Sequence, residues 1–313
     1  MEYRRLGNGG IKVSAVALGA WLTYGGSVED ETARDCIRTA IEHGVNYIDG
    51  ADVYAGGQAE RVTGQAIKDY ERSDLVISSK AFWPMSDNVN NRGLSRKHIM
   101  ESVEGSLRRL GTDYLDLYFC HRFDPETPLE ETVRAMDDLV HQGKVLYWGT
   151  SVWEAGQIDD AVVLAHQFNA YRPQVEQPPY NMLNRHIEAD VMSTCARHGM
   201  GISVFSPLAQ GLLTGKYNNG VPQGSRADIS RWLERDLNEE NLARTRKLTA
   251  LAGDLGITPA GLALAWILRR PEISCVITGA TRPEHVEANV LAAEIKLEED
   301  VLARIEAILG DAA

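Results

Sequence analysis

Cysteine is scarce in this sequence, and the few thiols are scattered. The cysteines are Cys36, Cys120, Cys195 and Cys275. No two of them form a C-x-x-C pair, so neither a zinc site nor a disulfide framework is indicated. Because free thiols are typical of a reducing compartment, we expect a cytoplasmic protein.

Positive charge is in deficit. Lysine and arginine together number 32 against 44 aspartate and glutamate residues, which gives a net charge of −12 and a pI near 5.2. A nucleic-acid backbone is bound through a basic face, so broad nucleic-acid binding is excluded. A few cations that converge locally are still enough to hold a phosphorylated cofactor.

Long apolar runs are absent as well. The first residues, MEYRRLGNGG, lack the apolar core of a signal peptide. No apolar run elsewhere approaches the length that crosses a bilayer. The sequence therefore predicts a protein that is neither secreted nor inserted in a membrane.

Motifs for metal and nucleotide binding are incomplete. The histidines show no H-x-x-x-H or H-E-x-x-H spacing, so no catalytic metal is predicted. Gly7, Gly9 and Gly10 resemble the start of a G-x-G-x-x-G motif, but Lys12 stands where the third glycine belongs and no strand precedes them. The segment GLLTGKY lacks the spacing and the Ser or Thr of a P-loop.

Alternating elements run along the whole chain. Short apolar, β-branched runs are each followed by an amphipathic stretch, which is typical of repeated βα units around a parallel sheet. The strands are predicted at 13–18, 45–48, 75–79, 114–119, 145–148, 174–176, 202–205 and 275–278. The helices between them are predicted to begin near Glu29, Glu60, Ser95, Leu129, Ala155, Ile187, Thr258 and Pro283. This pattern favours an α/β fold of the (β/α)8 TIM-barrel type over an open doubly wound sheet, and no linker divides residues 1–313 into domains.

Three segments lie outside the repeated units. YRRLGNGGIKV, residues 3–13, predicts an N-terminal β-hairpin that could close the bottom of the barrel. An insertion from Pro207 to about Gly256 follows the seventh barrel strand, and its second part, from Glu239, is predicted to be helical. Loops this long in compact domains are usually functional. Residues 298–309 predict an extra C-terminal helix.

Polar residues stand at the C-terminal ends of several predicted strands, where the reactive groups of such barrels lie. Asp49 ends the second strand, and Tyr54 follows in its loop. Lys80 follows the third strand and His121 the fourth. Each residue alone has an ordinary structural explanation, such as a loop cap or a surface lysine.

Together these residues are chemically coherent. A phenol such as Tyr54 is a weak acid, with an ordinary pKa of about 10, and a nearby cation such as Lys80 favours its ionised form. Asp49 would keep that ammonium charged in a desolvated site. His121 would orient a carbonyl oxygen by a hydrogen bond, so the set predicts proton donation beside a hydride donor.

The segments that carry these residues resemble the aldo-keto reductase family, which comprises (β/α)8 enzymes that use NAD(P)H. The matching segments are GVNYIDGADVYAGGQAE, VISSK and YLDLYFCHRFDPETPLEETVRAM, and the similarity extends from about Tyr3 to Leu309. The resemblance implies that Asp49, Tyr54, Lys80 and His121 form the family's catalytic tetrad.

One branch of that family is especially similar. LGAWLTYGG, RGLSRKHI, YWGTS and FSPLAQGLLTGKY resemble potassium-channel β-subunits and their bacterial relatives. Those channel subunits typically carry Asn at the position of His121, so the complete tetrad favours a working reductase.

The resemblance also implies an NADP(H) site. Trp21 would lie near the nicotinamide ribose, Ser151 and Gln177 would bind the carboxamide, and Phe205 would stack on the nicotinamide ring. The backbone of four residues would contact the pyrophosphate: Ser206, Pro207, Leu208 and Gly211. Glycine suits such a close approach.

The adenosine half of the cofactor would meet Lys216, Arg226 and the segment GATRPEHVEAN. That segment would contribute Gly279, Thr281, His285 and Asn289. His285 and Ala288 stand where the family usually has Gln and Glu, so the adenine contacts are expected to be weaker or rearranged.

Two functions remain open at this point. The first is NADPH-dependent reduction of a small aldehyde or ketone, and the second is an NADP(H)-binding, redox-sensing subunit that docks on a partner with little turnover. A metal-dependent hydrolase or isomerase lacks the ligand spacing that it needs. The resemblance implies a homo-oligomer, a tetramer in the similar branch. Specificity lies in variable loops, where Asp124 and Trp153 are candidates for the substrate mouth or for surface roles.

Overall fold

The computed structural model of the protein describes residues 1–21, 29–229 and 233–310. The chain begins with a short antiparallel hairpin. β1 (Tyr3–Arg5) pairs with β2 (Lys12–Ser14). Gly7 between them has φ +59°, and a Cβ there would lie 2.4 Å from the carbonyl oxygen of Gly199, so glycine is required. Leu6 is fully buried among the side chains inside the barrel. The hairpin thus closes the N-terminal end of the barrel, as the sequence predicted.

Eight parallel strands form the closed barrel. They are β3 (Val16–Gly19), β4 (Tyr47–Asp49), β5 (Val76–Ala81), β6 (Leu115–Cys120), β7 (Val145–Thr150), β8 (Val175–Glu176), β9 (Gly201–Val204) and β10 (Ile273–Thr278). The order around the barrel is β10-β3-β4-β5-β6-β7-β8-β9, and β10 closes it by pairing with both β3 and β9. The predicted (β/α)8 architecture is confirmed.

The first predicted strand, 13–18, proves to be two elements. Val13 and Ser14 belong to β2, and β3 begins only at Val16. The Ser14 hydroxyl donates to the carbonyl oxygen of Val16 at 2.7 Å, and the Ala15 amide donates to that of Glu2 at 2.9 Å. These bonds turn the chain from the hairpin into the barrel within an apolar run that carries no turn signal.

Helices follow the barrel strands, and those within the described residues number eleven. They are α1 (Asp30–Glu42), α2 (Gln58–Ile67), α3 (Arg96–Leu110), α4 (Leu129–His141), α5 (Ala155–Gln167), α6 (Val191–His198), α7 (Arg226–Ile229), α8 (Glu239–Asp254), α9 (Pro259–Leu268), α10 (Pro283–Leu291) and α11 (Glu299–Leu309). α7 and α8 lie in the predicted insertion after β9, where α8 begins at Glu239 as predicted, and α11 is the predicted C-terminal helix. Near Ile187 the chain forms only a 3-10 turn, His186–Glu188, before α6.

Local signals explain where several helices begin. The Ser95 hydroxyl accepts from the amide of His98 and caps α3, and the Thr258 hydroxyl accepts from the amide of Gly261 and caps α9. Pro259 occupies the first turn of α9, where its missing N–H costs no hydrogen bond.

The core has two parts. Side chains inside the barrel, including Tyr47, Leu117 and Phe119, form one buried cluster, and a larger cluster fills the space between the strands and the helices. The polar residues at the C-terminal end of the barrel therefore stand on a densely packed base.

Among the described residues no single helix is long and apolar enough to cross a membrane. α8 and α9 meet that criterion only when joined, across a bend of 94°.

Candidate active site

The residues that the sequence singled out meet at the C-terminal mouth of the barrel. Asp49 is the last residue of β4, Lys80 lies in β5, and His121 directly follows β6. Tyr54 begins a 3-10 turn, Tyr54–Gly57, in the loop after β4. Since β4, β5 and β6 are consecutive in the barrel, their ends present these side chains side by side.

A buried ion pair forms the base of the site. Lys80 Nζ lies 2.8 Å from Oδ1 and 2.7 Å from Oδ2 of Asp49, and it also donates to the carbonyl oxygen of Gly50 at 2.7 Å. The Lys80 side chain is 1% exposed and that of Asp49 is 5% exposed. Burial lowers the pKa of Lys80, and the neighbouring carboxylate opposes that change. Among the described residues, Asp49 supplies the compensating charge that contacts this ammonium.

Additional donors hold the carboxylate of Asp49. Oδ1 accepts from the hydroxyl of Ser78 at 2.8 Å and from Nε2 of Gln177 at 2.9 Å. The hydroxyl of Tyr47 lies 3.3 Å from the same oxygen. These contacts, from β4 itself, from β5 and from the end of β8, fix the carboxylate and through it the ammonium of Lys80.

Tyr54 is the candidate acid. Its hydroxyl lies 3.5 Å from Lys80 Nζ, and the ammonium lies 5.2 Å from the centre of the ring. Burial of the phenol raises the pKa of Tyr54 well above its ordinary value, and the charge of Asp49 raises it further. The sequence predicted that Lys80 would favour the ionised form, but desolvation dominates here. The phenol is therefore held protonated at rest, as a proton donor must be.

His121 faces Tyr54 across the mouth. The two ring centres are 5.9 Å apart, and the planes are close to perpendicular. Burial, followed by the charges of Lys80 and Arg122, lowers the pKa of His121 well below its ordinary value. Nδ1 is buried and has no hydrogen-bond partner within the described parts of the chain. A neutral imidazole in this position can donate one hydrogen bond to a carbonyl oxygen.

Two mouth residues were missed by the sequence reasoning. The Trp83 ring is 39% exposed and lies 6.3 Å from His121, centre to centre. Arg122 extends over the same ring, with Cζ 5.7 Å from its centre. The only available signal was proximity in sequence, because Trp83 comes three residues after Lys80 and Arg122 directly follows His121.

Asp124 and Trp153, the two candidate residues for the substrate mouth, differ in their contacts. Asp124 is buried, and its carboxylate accepts from the amide of Leu94 and the hydroxyl of Thr127, each at 2.7 Å. It ties two loops together and has a structural role. Trp153 is 3% exposed, packs edge-on against Phe123 at 5.0 Å, and has an indole N–H without a partner among the described residues.

The predicted carboxamide-binding residues lie beside the tetrad. Ser151 follows β7 and Gln177 follows β8, and both are buried. The hydroxyl of Ser151 donates to the backbone oxygen of Gln177 at 2.8 Å. Because the Gln177 amide donates to Asp49, these residues connect the predicted nicotinamide site to the buried ion pair.

The backbone after β9 has an unusual conformation. φ is positive at Ser206 (52°), Ala209 (46°), Gln210 (56°) and Gly211 (95°). Left-handed conformations cost energy for residues other than glycine and cluster at ligand sites. Successive peptide N–H groups in such turns form concave anion sites. Phe205, just before this run, packs against the cluster inside the barrel, while Pro207 and Leu208 lie within the run.

Two cations of the insertion, Lys216 and Arg226, lie on the same side of the mouth as the run after β9. The side chain of Lys216 covers Gly211, since a Cβ at Gly211 would lie 2.7 Å from Lys216 Nζ. Arg226 Cζ lies 5.6 Å from the centre of the Trp21 ring. Neither cation has a carboxylate within 4.0 Å in the described ranges, which omit 22–28, 230–232 and 311–313.

The segment after β10 approaches this cluster. Burial lowers the pKa of His285, and the charges of Arg282 and Lys216 lower it further. The Thr281 hydroxyl and His285 Nδ1 are 3.2 Å apart. Gly279 is exposed before α10, and Asn289 is buried on it. Residues 22–26 of LGAWLTYGG and residues 230–232 of the insertion lie outside the described residues.

The carboxyl group of Asp52, in the loop after β4, has an unusual environment. Asp52 is fully buried, and Oδ2 accepts from the hydroxyl of Ser102 at 2.7 Å. Oδ1 has no partner among the described residues. Burial raises the pKa of Asp52 from 3.8 to about 7, and the nearby Glu60 raises it while Ser102 and Arg109 lower it. The folded protein thus keeps Asp52 protonated at a pH where the unfolded chain has lost the proton.

Asp52→Asn should make stability less dependent on pH. A pKa raised on folding contributes stability at low pH that is lost as the pH rises through about 7. Between about pH 5.5 and pH 8 the free energy of unfolding of the parent should fall by about 2 kcal/mol more than that of the variant. Urea unfolding at both pH values measures the difference. The same decrease in both proteins would show that Asp52 does not titrate in this range.

Residues 15–310 match the model of the aldo/keto reductase family, and they contain the closed barrel and the residues at its mouth. The chain therefore belongs to the aldo/keto reductase family. It is 43% identical to a protein of Arabidopsis thaliana described as "Probable voltage-gated potassium channel subunit beta", over 99% of this chain and 97% of the relative. A protein of Oryza sativa subsp. japonica with the same description is 41% identical, over 99% of this chain and 97% of the relative.

Proposed function

We propose that the protein is an NADPH-dependent reductase of aldehydes or ketones, with Tyr54 as the general acid. The observation that carries this proposal is the arrangement around Lys80, whose buried ammonium contacts Asp49 and reaches the hydroxyl of Tyr54. A buried cation next to a protonated phenol has an obvious use, because it stabilises the phenolate that forms when the proton leaves.

Each residue at the mouth would have its own role in carbonyl reduction. When bound, NADPH would supply the hydride for the carbonyl carbon, and the balanced reaction would be RCHO + NADPH + H⁺ → RCH₂OH + NADP⁺. Tyr54 gives its phenolic proton to the carbonyl oxygen and regains a proton from solvent afterwards. His121 donates a hydrogen bond that orients the same oxygen. Asp49 holds Lys80, and Lys80 stabilises the phenolate.

Several features of the mouth fit a phosphorylated dinucleotide. The run from Ser206 to Gly211, with its four left-handed residues, suits a pyrophosphate. Phe205, just before it, would stack on the nicotinamide ring. Lys216 and Arg226 are cations without carboxylate partners in the described ranges of a chain with net charge −12. Ser151 and Gln177 would hold the carboxamide, and Trp21, Gly279, Thr281, His285 and Asn289 would line the rest of the site.

Arg226→Ala should weaken NADPH binding much more than NADH binding. A guanidinium can contact the 2′-phosphate through charge-assisted hydrogen bonds worth roughly 1.5 to 3 kcal/mol, or about ten- to a hundredfold in Kd. Fluorescence titration of both cofactors at one ionic strength measures the change. Arg246→Ala, which removes the same charge from the exposed face of α8, is the control. Equal weakening of both cofactors would mean that Arg226 only supports its loop.

A second candidate is a regulatory subunit that binds NADP(H), docks on a channel protein and turns over little. The identity of 41 to 43% to proteins described as potassium channel β-subunits favours it. Both candidates need the cofactor site, but only the reductase needs the proton donor and its buried ammonium. NADPH oxidation with a panel of aldehydes, ketones and quinones separates them. Oxidation that follows added carbonyl compound supports the reductase, and its absence with tightly bound NADPH supports the subunit.

A further inference from the structure

A further cation stands at the mouth beside the tetrad. Arg122 directly follows His121 at the end of β6, and its Nη1 donates to the backbone oxygen of His121 at 2.5 Å. This contact holds the guanidinium over the mouth, where Cζ lies 5.7 Å from the centre of the Trp83 ring. The same ring is 6.3 Å from that of His121, which is 5.9 Å from that of Tyr54. Arg122 is thus linked by ring contacts to the groups proposed to hold the carbonyl oxygen.

The charge of Arg122 reaches both of those groups. After burial and the charge of Asp49, Arg122 is the next influence on the pKa of Tyr54, which it lowers. After burial and Lys80, it contributes to the lowered pKa of His121. A substrate whose carbonyl oxygen lies between Tyr54 and His121 would therefore place its other substituents within the field of this guanidinium.

No carboxylate of the described residues lies within 4.0 Å of Arg122. Two other partly buried arginines are paired: Arg72 contacts Asp116 at 2.7 Å, and Arg109 contacts Glu60 at 2.5 Å. Glu176 acts on Arg122 electrostatically but is itself buried, and its carboxylate accepts from the Thr150 hydroxyl at 2.5 Å and the Trp153 amide at 3.2 Å.

The leftover hydrogen-bonding capacity of Arg122 is considerable. A guanidinium has five N–H groups, and one of them is used by the carbonyl oxygen of His121. Desolvation without a counter-ion is unfavourable, so such a cation at a ligand site is best explained by an anion that arrives with the ligand.

The cofactor phosphates are a poor match for this anion. The loop proposed to hold them follows β9, whereas Arg122 follows β6, and β7 and β8 lie between these strands. Lys216 and Arg226 already serve the β9 side of the mouth. The anion that faces Arg122 would instead belong to the substrate, which enters beside the exposed ring of Trp83.

We infer that Arg122 recognises an anionic group, a carboxylate or a phosphate, on the carbonyl substrate, with Trp83 as the apolar wall between that group and the reacting carbonyl. This inference rests on the proposed reductase function and adds the substrate class to it. A guanidinium binds either anion in a bidentate manner, and Trp83 suits the hydrocarbon or ring that separates the two ends of the substrate.

The test compares 4-carboxybenzaldehyde with its methyl ester, methyl 4-formylbenzoate, which has the same ring and aldehyde without the charge. The quantity measured is the ratio of kcat/KM for the acid to kcat/KM for the ester, with NADPH saturating. In Arg122→Gln this ratio should fall about ten- to a hundredfold, the amount expected from losing charge-assisted hydrogen bonds. Any effect of the lost charge on Tyr54 applies to both aldehydes and cancels in the ratio.

Matched variants make the result specific. Arg122→Lys keeps the charge without the bidentate geometry and should retain part of the preference. Arg38→Gln removes one positive charge from the exposed face of α1 and should leave the ratio at the parental value. An unchanged ratio in Arg122→Gln, or a parent that prefers the ester, would overturn the inference.

Binding separates this inference from the proposed reaction. Calorimetric titration of 4-carboxybenzaldehyde into the NADP⁺-loaded protein does not depend on turnover. If the parent reduces neither aldehyde but binds the acid at least tenfold more tightly than Arg122→Gln does, the reductase function fails and the anion site stands. If the parent reduces both aldehydes and binding is equal in parent and variant, the reductase stands and the anion site fails.

Discussion

Tyr54→Phe is expected to lower kcat for carbonyl reduction by about 10²-fold or more, the usual contribution of general acid catalysis. The variant keeps the ring that contacts His121 and Lys80 and removes only the hydroxyl, 3.5 Å from Lys80 Nζ. Cofactor binding should therefore be nearly unchanged. Steady-state NADPH oxidation at saturating aldehyde measures kcat, and fluorescence titration measures the Kd for NADPH.

A control for that experiment is Tyr70→Phe, which removes a phenolic hydroxyl after α2, at the other end of the barrel from the mouth. It should retain parental turnover. Tyr54→Phe with near-parental kcat would exclude Tyr54 as the acid, whatever the other variants showed. A large increase in the Kd for NADPH would instead mean that the hydroxyl belongs to the cofactor site.

Lys80→Met is expected to abolish most of the reductase activity and also to destabilise the fold. The flexible methionine side chain replaces most of the lysine volume, but the phenolate of Tyr54 then has no cation beside it as the proton leaves. Asp49 is left as a buried carboxylate without its counter-ion, and breaking such a pair typically costs about 3–5 kcal/mol. Loss of activity alone would therefore be ambiguous.

A double variant resolves the ambiguity. Lys80→Met combined with Asp49→Asn removes both charges, so much of the lost stability should return, while activity should not. Urea unfolding measures stability, and NADPH oxidation measures activity in the same preparations. Recovery of turnover in the double variant would show that Lys80 serves only to hold the fold. Parental turnover in Lys80→Met would exclude its electrostatic role directly.

The sequence predicted the barrel because each βα unit carries its own periodicity and several carry start signals. Ser95 and Thr258 cap the helices that they were expected to begin. The boundary between β2 and β3 was not predictable, because the turn at Ser14 interrupts an apolar run by tertiary hydrogen bonds alone. The helix expected near Ile187 was misplaced for a related reason, since a 3-10 turn precedes α6.

The site was predictable where chemistry and strand ends coincide. Asp49, Lys80 and His121 stand at the ends of predicted strands, so a barrel fold alone brings them together. Trp83 and Arg122 carry no such signal, since an exposed aromatic ring and an arginine in a loop are common. The direction of the Tyr54 pKa was also not predictable, because it depends on how completely the surroundings desolvate the phenol. Burial of that kind is a property of packing and not of sequence spacing.

If the protein is the proposed reductase, hydride transfer to a carbonyl takes place at this mouth. The transfer is measured with NADPH that carries deuterium in place of both hydrogens at nicotinamide C4, incubated with the protein and 4-carboxybenzaldehyde or its methyl ester, followed by mass spectrometry of the product. We expect an alcohol with deuterium on the former carbonyl carbon, formed in proportion to the NADPH oxidised and about 10²-fold or more slowly in Tyr54→Phe. NADPH that stays bound and unoxidised with these substrates and with the wider carbonyl panel, or an alcohol without deuterium, would contradict this proposal.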